Sequence, residues 1–349
     1  MKKVFASLLC LCVCLGGLTA CNNSANTSTS TDSSTGTSTS SGGGESAELK
    51  MSYTIAGTET VAQTAQEMAQ EISDQTDGKF VIQNYPNGEL AGDVDALEQI
   101  SRGANLLTFG TPDFLATYVP DLGILDGPFL FESSDQFAIL EESDWFQTMR
   151  QQLEEKGIKN LSMRWYFGAR HLTHNTGKEV STPDQLSGMR IRSASSPTRV
   201  AMIEAMGATV TQMNWNEVYS ALNQGVMDGC EAPLSTLYSS KIYEVCKNIS
   251  LTGHIRAIWS ANVSTEWYNS VSADYQTLLT DALKKYGDIA TERVNAEELE
   301  WQKTLEAEGV VFTEVDQEAF KSACEVVYTK IDGWSDNLYE TVKAALGEA

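Results

Sequence analysis

The chain has 349 residues, with 24 Lys and Arg against 47 Asp and Glu and a formal net charge of −23. So acidic a surface argues against nucleic acid as a partner and against docking on anionic lipid through basic patches. Composition is otherwise globular, and about 300 residues lie beyond the N-terminal region, enough for two domains or one large one.

Lys2 and Lys3 precede an apolar run that ends in Leu18-Thr19-Ala20-Cys21. A basic start, a short apolar core and a small-residue cleavage site read as a secretory signal, too short to span a bilayer comfortably. Cys after Leu-Thr-Ala has the form of a lipobox, which would make Cys21 the lipidated first residue of the mature chain; the alternative is an ordinary signal with an incidental Cys. Residues 22–48 are rich in Ser, Thr and Gly and almost without apolar side chains, so they read as a flexible tether. Without Lys2 and Lys3 the mature chain carries 22 basic and 47 acidic residues.

Strand and helix then alternate: strand 51–56, helix 61–75 ended by Asp77-Gly78, strand 80–85, helix 93–102 and strand 106–109. The alternation predicts a mostly parallel, open α/β sheet with ligands at the carboxyl ends of its strands. The loops there hold Thr58, Asp93 and Thr111; Asp93 equally suits capping of its helix. Residues 135–157 read as one helix with Trp145, Phe146, Met149 and Leu153 at core spacing, and 160–167 as the next strand. His171 and His174, three apart on a strand, fall on opposite faces, with one facing solvent.

A short strand at 189–193 is followed by Ser195 and Ser196, either of which can cap a helix, and by Pro197 at its first turn. Arg192 therefore stands just before a helix N-terminus, where free N–H groups and the positive dipole end favour anions. A guanidinium adds a fork that matches a carboxylate or phosphate bidentately. The pattern reads as an anionic small-molecule site, or else as a surface arginine paired with a neighbouring acid. Trp215 precedes a helix that Asn214 or Asn216 can cap and Gly225 can end, and offers a ligand-facing ring or core packing. A long helical run covers 267–308, broken at most by Gly287; a strand at 310–313 and a closing helix at 320–346 complete the chain.

Cys10, Cys12, Cys14 and Cys21 fall in the leader, which leaves Cys230, Cys246 and Cys324. Three cysteines make no disulfide framework and no zinc spacing. They read as small buried residues, with a Cys230–Cys246 bridge as the alternative. No Walker loop, dinucleotide fingerprint, H-E-x-x-H or G-x-S-x-G is present, so the chain shows no metal or cofactor motif and no nucleophile elbow.

Thr182-Pro183-x-x-Leu186-x-Gly188-x-Arg190-Ile191-Arg192 is followed by Glu217-Val218-Tyr219-x-Ala221-Leu222-x-x-Gly225-x-x-Asp228-Gly229-x-Glu231. With Thr76-Asp77-Gly78-Lys79, Tyr85-Pro86-Asn87-Gly88-Glu89-Leu90, Gly127-Pro128-Phe129-Leu130-Phe131, Gly168-Ala169-Arg170-His171-Leu172 and Tyr243-Glu244-Val245, this ordered set resembles the DctP-type solute-binding proteins of TRAP transporters. The resemblance implies a two-lobed periplasmic-binding-protein-like α/β fold with mixed open sheets and a long helix spanning both lobes. It places lobe I at 49–168 with 256–296 and lobe II at 169–255 with 297–349. It implies no enzyme and no cofactor, but a monomeric receptor for a sugar acid or a small mono- or dicarboxylate. The partners implied are the small and large subunits of a membrane permease driven by a sodium gradient. By family position Arg192 clamps the carboxylate, Arg170 adds positive charge, Trp215 packs the ligand body, and Asp93 and Thr111 close over it. Ala232 stands where many relatives carry Asn, and Ser195 where sialic-acid and related binders do, which leaves the particular substrate open; Glu231 keeps the family's acid and can orient an arginine. A binding protein feeding a sensor, and an envelope sugar-acid enzyme, are the alternative readings.

Overall fold

The computed structural model describes residues 46–348; the expected signal, Cys21 and most of the tether lie outside them. Among the described residues nine strands form one mixed sheet: β1 (Ala47–Ser52), β2 (Phe80–Tyr85), β3 (Leu106–Gly110), β4 (Ile158–His174), β5 (Arg190–Ser193), β6 (Thr209–Gln212), β7 (Gly229–Pro233), β8 (Asn248–Ser264) and β9 (Val311–Thr313). The order is β2-β1-β3-β8-β4-β7-β5-β6, with β9 on β8. β2, β1 and β3 run parallel as one wing, and β6, β5 and β7 run parallel as the other. The two 17-residue strands β4 and β8 join them, antiparallel to each other along most of their length.

The joining strands change wing partway. The end of β8 pairs with β3, whereas the end of β4, from Arg170 to His174, pairs with β7. Register shifts in the β4–β8 ladder mark the change, one of them between Tyr166 and Gly168. Gly168 has φ +119°, and a Cβ there would stand 3.0 Å from Pro233 Cβ, so glycine is what lets the strand bend at this point. An aromatic floor packs beside it: Phe109 stacks on Trp259 at 4.4 Å, with Trp165 edge-on to Phe109 at 5.0 Å and Tyr53 edge-on to Trp259 at 5.2 Å.

Several expectations change. The helix expected over 135–157 is two, Gln136–Glu142 and Asp144–Glu155, because Ser143 turns to ψ 149° and its hydroxyl caps the second by accepting from the Phe146 N–H. The long run likewise splits into Thr265–Ser270 and a 35-residue helix, Ala273–Ala307, capped by Ser272. The closing helix breaks at Gly333 (φ +89°) and Asn337 (φ +54°) into Gln317–Cys324, a 3₁₀ turn and Leu338–Ala345. The first strand lies earlier than 51–56, and β4 and β8 run longer than their apolar cores suggest. Neither histidine faces solvent freely: His171 is half-buried and His174 buried, and burial lowers both rings' pKa. Cys230, Cys246 and Cys324 are free and buried, with no Cys230–Cys246 bridge.

The long helix lies across β4 and the helix Thr60–Gln75. Gly287 continues it instead of breaking it, because a Cβ there would stand 2.9 Å from Arg164 Cγ and from Trp165 Nε1. Gly287→Ala should therefore lower unfolding free energy by about 1 kcal/mol or more in a urea titration. Overpacking costs roughly 1–3 kcal/mol, more than the helix-propensity gain of at most about 1 kcal/mol.

Glu59, just before the helix Thr60–Gln75, is buried against the helix Leu234–Ser239. It accepts from Ser239 Oγ and Thr236 Oγ1 at 2.8 Å each and from Ser235 Oγ at 3.4 Å. Burial outweighs these bonds and raises its pKa from 4.5 to about 7. The folded state then holds a proton that the unfolded state has lost, so this group's contribution to stability is full below about pH 4.5 and falls as pH rises to about 7. Glu59→Gln should remove on the order of 3 kcal/mol of that decline when denaturation is compared at acid and mildly alkaline pH.

Candidate functional site

The carboxyl ends of β1, β3, β5 and β7 and the bends of β4 and β8 converge on a cavity of about 60 Å³. Thr54 and Ile55 reach it from beyond β1, Gly110, Thr111 and Phe114 from the end of β3 and beyond, and Arg192 and Ala194 from β5. Ala232 and Thr236 close it from β7 and the following helix, over Phe167, Arg170 and Trp259. It adjoins a cavity of about 300 Å³ that shares Thr54, Asp93 and Trp215 and adds Asn87, Asn214 and Asn216. Together they offer room for a small organic molecule with few convergent polar groups.

Arg192 is 4% exposed. Its Nε and Nη2 donate to the Met213 carbonyl at 3.1 and 2.8 Å, and the guanidinium carbon stands 5.3 Å from the centre of the Trp215 ring. Trp215 opens the helix Trp215–Asn223, half-buried, with its indole N–H donating to Ser240 Oγ at 3.0 Å. Among the described residues Arg192 has no carboxylate partner, and burial lowers its pKa to about 10. The helix beyond starts as expected: Ser196 caps Pro197–Ala205 and accepts from the Arg199 N–H.

Arg170 is equally buried but is already paired. Its Nη2 donates to Glu231 Oε1 at 2.8 Å and to the Glu231 carbonyl at 2.9 Å, and its Nε donates to Oε2. His254 Nε2 lies 3.4 Å from the same carboxylate. Burial works to raise the Glu231 pKa, but the Arg170 charge wins and holds it below the usual carboxylate range. Glu231 thus stands behind the cavity and fixes Arg170.

A third buried arginine, Arg199, lies on the same helix that Ser196 caps and also lines the cavity. Its Nε donates to Asp126 and its Nη2 to Asp113 at 3.4 Å. Burial raises the Asp126 pKa to about 6 against the pull of Arg199, with Asp113 adding to the rise.

Asp93 faces this group from the other wing, half-buried, and accepts from Thr54 Oγ1 at 3.1 Å. Gly92 is the helix N-cap, so Asp93 sits in the first turn, where the dipole favours a carboxylate, and is not the cap itself. Burial raises its pKa to about 6, opposed by the Thr54 bond and assisted by Asp113.

Arg192, Arg170, Trp215, Thr111, Asp93 and Ala232 are thus gathered on one cavity. Ser195 is exposed and does not line it, Ala194 taking that place; Thr58 is exposed, with Thr54 lining instead. Arg199 was missed, although an arginine on the buried stripe Thr198, Arg199, Met202 and Ile203 signals a buried partner. Phe167 and Trp259 carry no signal beyond apolar strand character. Cavities of about 210 and 540 Å³ lie elsewhere, and neither is lined by an arginine.

Residues 51–332 match the family model for bacterial extracellular solute-binding proteins, family 7, known as DctP. The sialic acid-binding periplasmic protein SiaP of Vibrio cholerae is 26% identical over 81% of this chain and 88% of its own. Two crystal structures of TRAP periplasmic solute-binding proteins superpose closely. One, from Actinobacillus succinogenes 130z with bound L-galactonate, has a TM-score of 0.83 at 29% identity over 86% of this chain and 100% of its own. The other, from Ochrobacterium anthropi with bound L-fuconate, has a TM-score of 0.83 at 30% identity over 86% and 99%. These are binding proteins, not enzymes, and share the two-lobed α/β architecture. The chain belongs to the DctP family of solute-binding proteins of TRAP transporters.

Proposed function

We propose that this chain captures a carboxylate-bearing organic acid in the cleft between two lobes and delivers it to the small and large subunits of a TRAP permease. The observation that carries this reading is a buried guanidinium, Arg192, with a carbonyl and an indole ring beside it and, among the described residues, no carboxylate in ion-pair reach. Such a cation is costly to leave uncompensated, and a ligand carboxylate supplies the missing charge bidentately. Arg170 lines the same cavity and adds positive potential, although Glu231 neutralises much of it. Trp215 offers the ligand body an apolar wall.

In this reading the lobes are 49–168 with 256–296 and 169–255 with 297–349, and the 35-residue helix is a strut that bends as they close. Closure desolvates the arginine–carboxylate pair, and the closed form is what the permease recognises. The protein contributes binding and a population shift, with no catalysis. Cys21 carries the lipid that holds this monomeric receptor to the outer face of the membrane, and residues 22–48 give it reach.

A thermal-shift screen of organic acids that includes L-galactonate and L-fuconate should find ligands that raise the melting temperature. With such a ligand, calorimetry on Arg192→Ala should show affinity reduced by roughly thirty- to several-thousand-fold, the equivalent of about 2–5 kcal/mol for truncating a buried charge pair. Arg192→Lys should recover little of it, since an ammonium lacks the planar fork. An unchanged dissociation constant in Arg192→Ala would end this reading. Labelling with radioactive fatty acid should mark the wild-type chain and spare Cys21→Ala.

A further inference from the structure

Three buried arginines line the cleft, and two are already neutralised within the protein. Arg170 is closed by Glu231, and Arg199 by Asp126 and Asp113. Arg192 alone of the three has no carboxylate in ion-pair reach among the described residues, although Glu231 acts on it at longer range. Of the three, Arg192 is therefore the one whose guanidinium is open to direct contact with a ligand carboxylate.

The facing wall is of the opposite character. Asp93 lines both the arginine cavity and the larger one adjoining it. Its contact at hydrogen-bond distance is the Thr54 hydroxyl, with no cation in ion-pair reach among the described residues. It is nevertheless close enough to Arg199 and Arg192 for both charges to lower its pKa. Around it stand Asn87, Asn214 and Asn216, amides that suit hydroxyls, and a second carboxylate, Asp95. Among the described residues no Lys or Arg lines this end. A ligand anchored on Arg192 thus extends toward acceptors and amides.

We infer that the site selects organic acids with a single carboxylate and a hydroxyl-bearing tail, and that Asp93 is the residue that rejects a second carboxylate. This rests on the reading of Arg192 as the carboxylate anchor. A hydroxyl donates to Asp93 and replaces water there without adding charge. A terminal carboxylate at the same place meets a half-buried like charge, with the remaining cleft arginines occupied. Like-charge juxtaposition of this kind costs several kcal/mol and is a common means of excluding a close analogue.

The test uses pairs of acids that differ only in the oxidation of the terminal carbon: L-galactonate against galactarate, and threonate against tartrate. Isothermal titration of the purified chain at neutral pH should show at least one monoacid binding about a hundredfold or more tighter than its diacid. Asp93→Asn, with its melting temperature checked, should narrow that ratio at least tenfold, chiefly by improving the diacid, while Arg192→Ala weakens both. A diacid that binds as tightly as its monoacid, a ratio unmoved in Asp93→Asn, or failure of every hydroxylated monoacid overturns the inference. If diacids bind in an Arg192-dependent way, the carboxylate-receptor reading survives that failure. If the acids that bind do so equally well in Arg192→Ala, the receptor reading falls first.

Discussion

A buried guanidinium with no carboxylate in ion-pair reach among the described residues is the constraint from which the rest of this site follows. Taking such a group out of water costs several kcal/mol unless fixed dipoles or an opposite charge replace the solvent. The Met213 carbonyl accepts two of its bonds and the Trp215 ring faces it, which is partial compensation. Burial pushes the Arg192 pKa down, while the charge of Glu231 works the other way. The other two cleft arginines are fully paired and hold the shape around it. Arg170 ties β4 to β7, and Arg199 ties its helix to Asp113 and Asp126 on the segments after β3.

That division of labour depends on the two joining strands. Because β4 and β8 serve both wings, the residues at their bends, Phe167, Arg170 and Trp259, form a floor common to both walls of the cleft. The walls come from strand ends, as an open α/β sheet dictates. Glu59, clasped by the hydroxyls of Thr236, Ser235 and Ser239, links the β1 side to the helix after β7 without any cation. A carboxyl clasped by hydroxyls, its pKa pushed up to about 7 by burial, links the two wings with no ion pair at that point among the described residues.

Much of this was legible in the residues. The helix after Arg192 announced itself through Ser196 and Pro197, and the cap and first turn are where that spacing puts them. The alternation from residue 47 to 110 needs only local periodicity, and its strands and helices fall within a few residues of expectation. Breaks inside long apolar-patterned runs were hidden, because Ser143 and Ser272 are single capping residues within otherwise continuous helical periodicity. Ser195 is exposed and Ala194 lines the cavity, because the chain turns there into the helix that Ser196 caps, and no periodicity governs such a turn. The buried stripe can signal that Arg199 has a partner but cannot name it, because the pairing with Asp126 and Asp113 joins positions 73 and 86 residues apart.

The overall charge and the local charge pull in opposite directions, and the distances decide between them. A net charge of −23 repels an incoming organic anion while it is still in bulk solvent. That repulsion decays over about 8 Å at physiological salt, so it slows approach more than it weakens the final complex. Inside the cleft the buried guanidinium of Arg192 acts at contact range, where Coulomb terms are several times larger than in bulk. Asp93 and the paired carboxylates then set how much negative charge the cavity tolerates beyond that first unit. On the proposed reading, affinity for an acid and intolerance of a second acid group would be two consequences of one charge arrangement, and substrate choice would rest on the carboxylates as much as on the arginines.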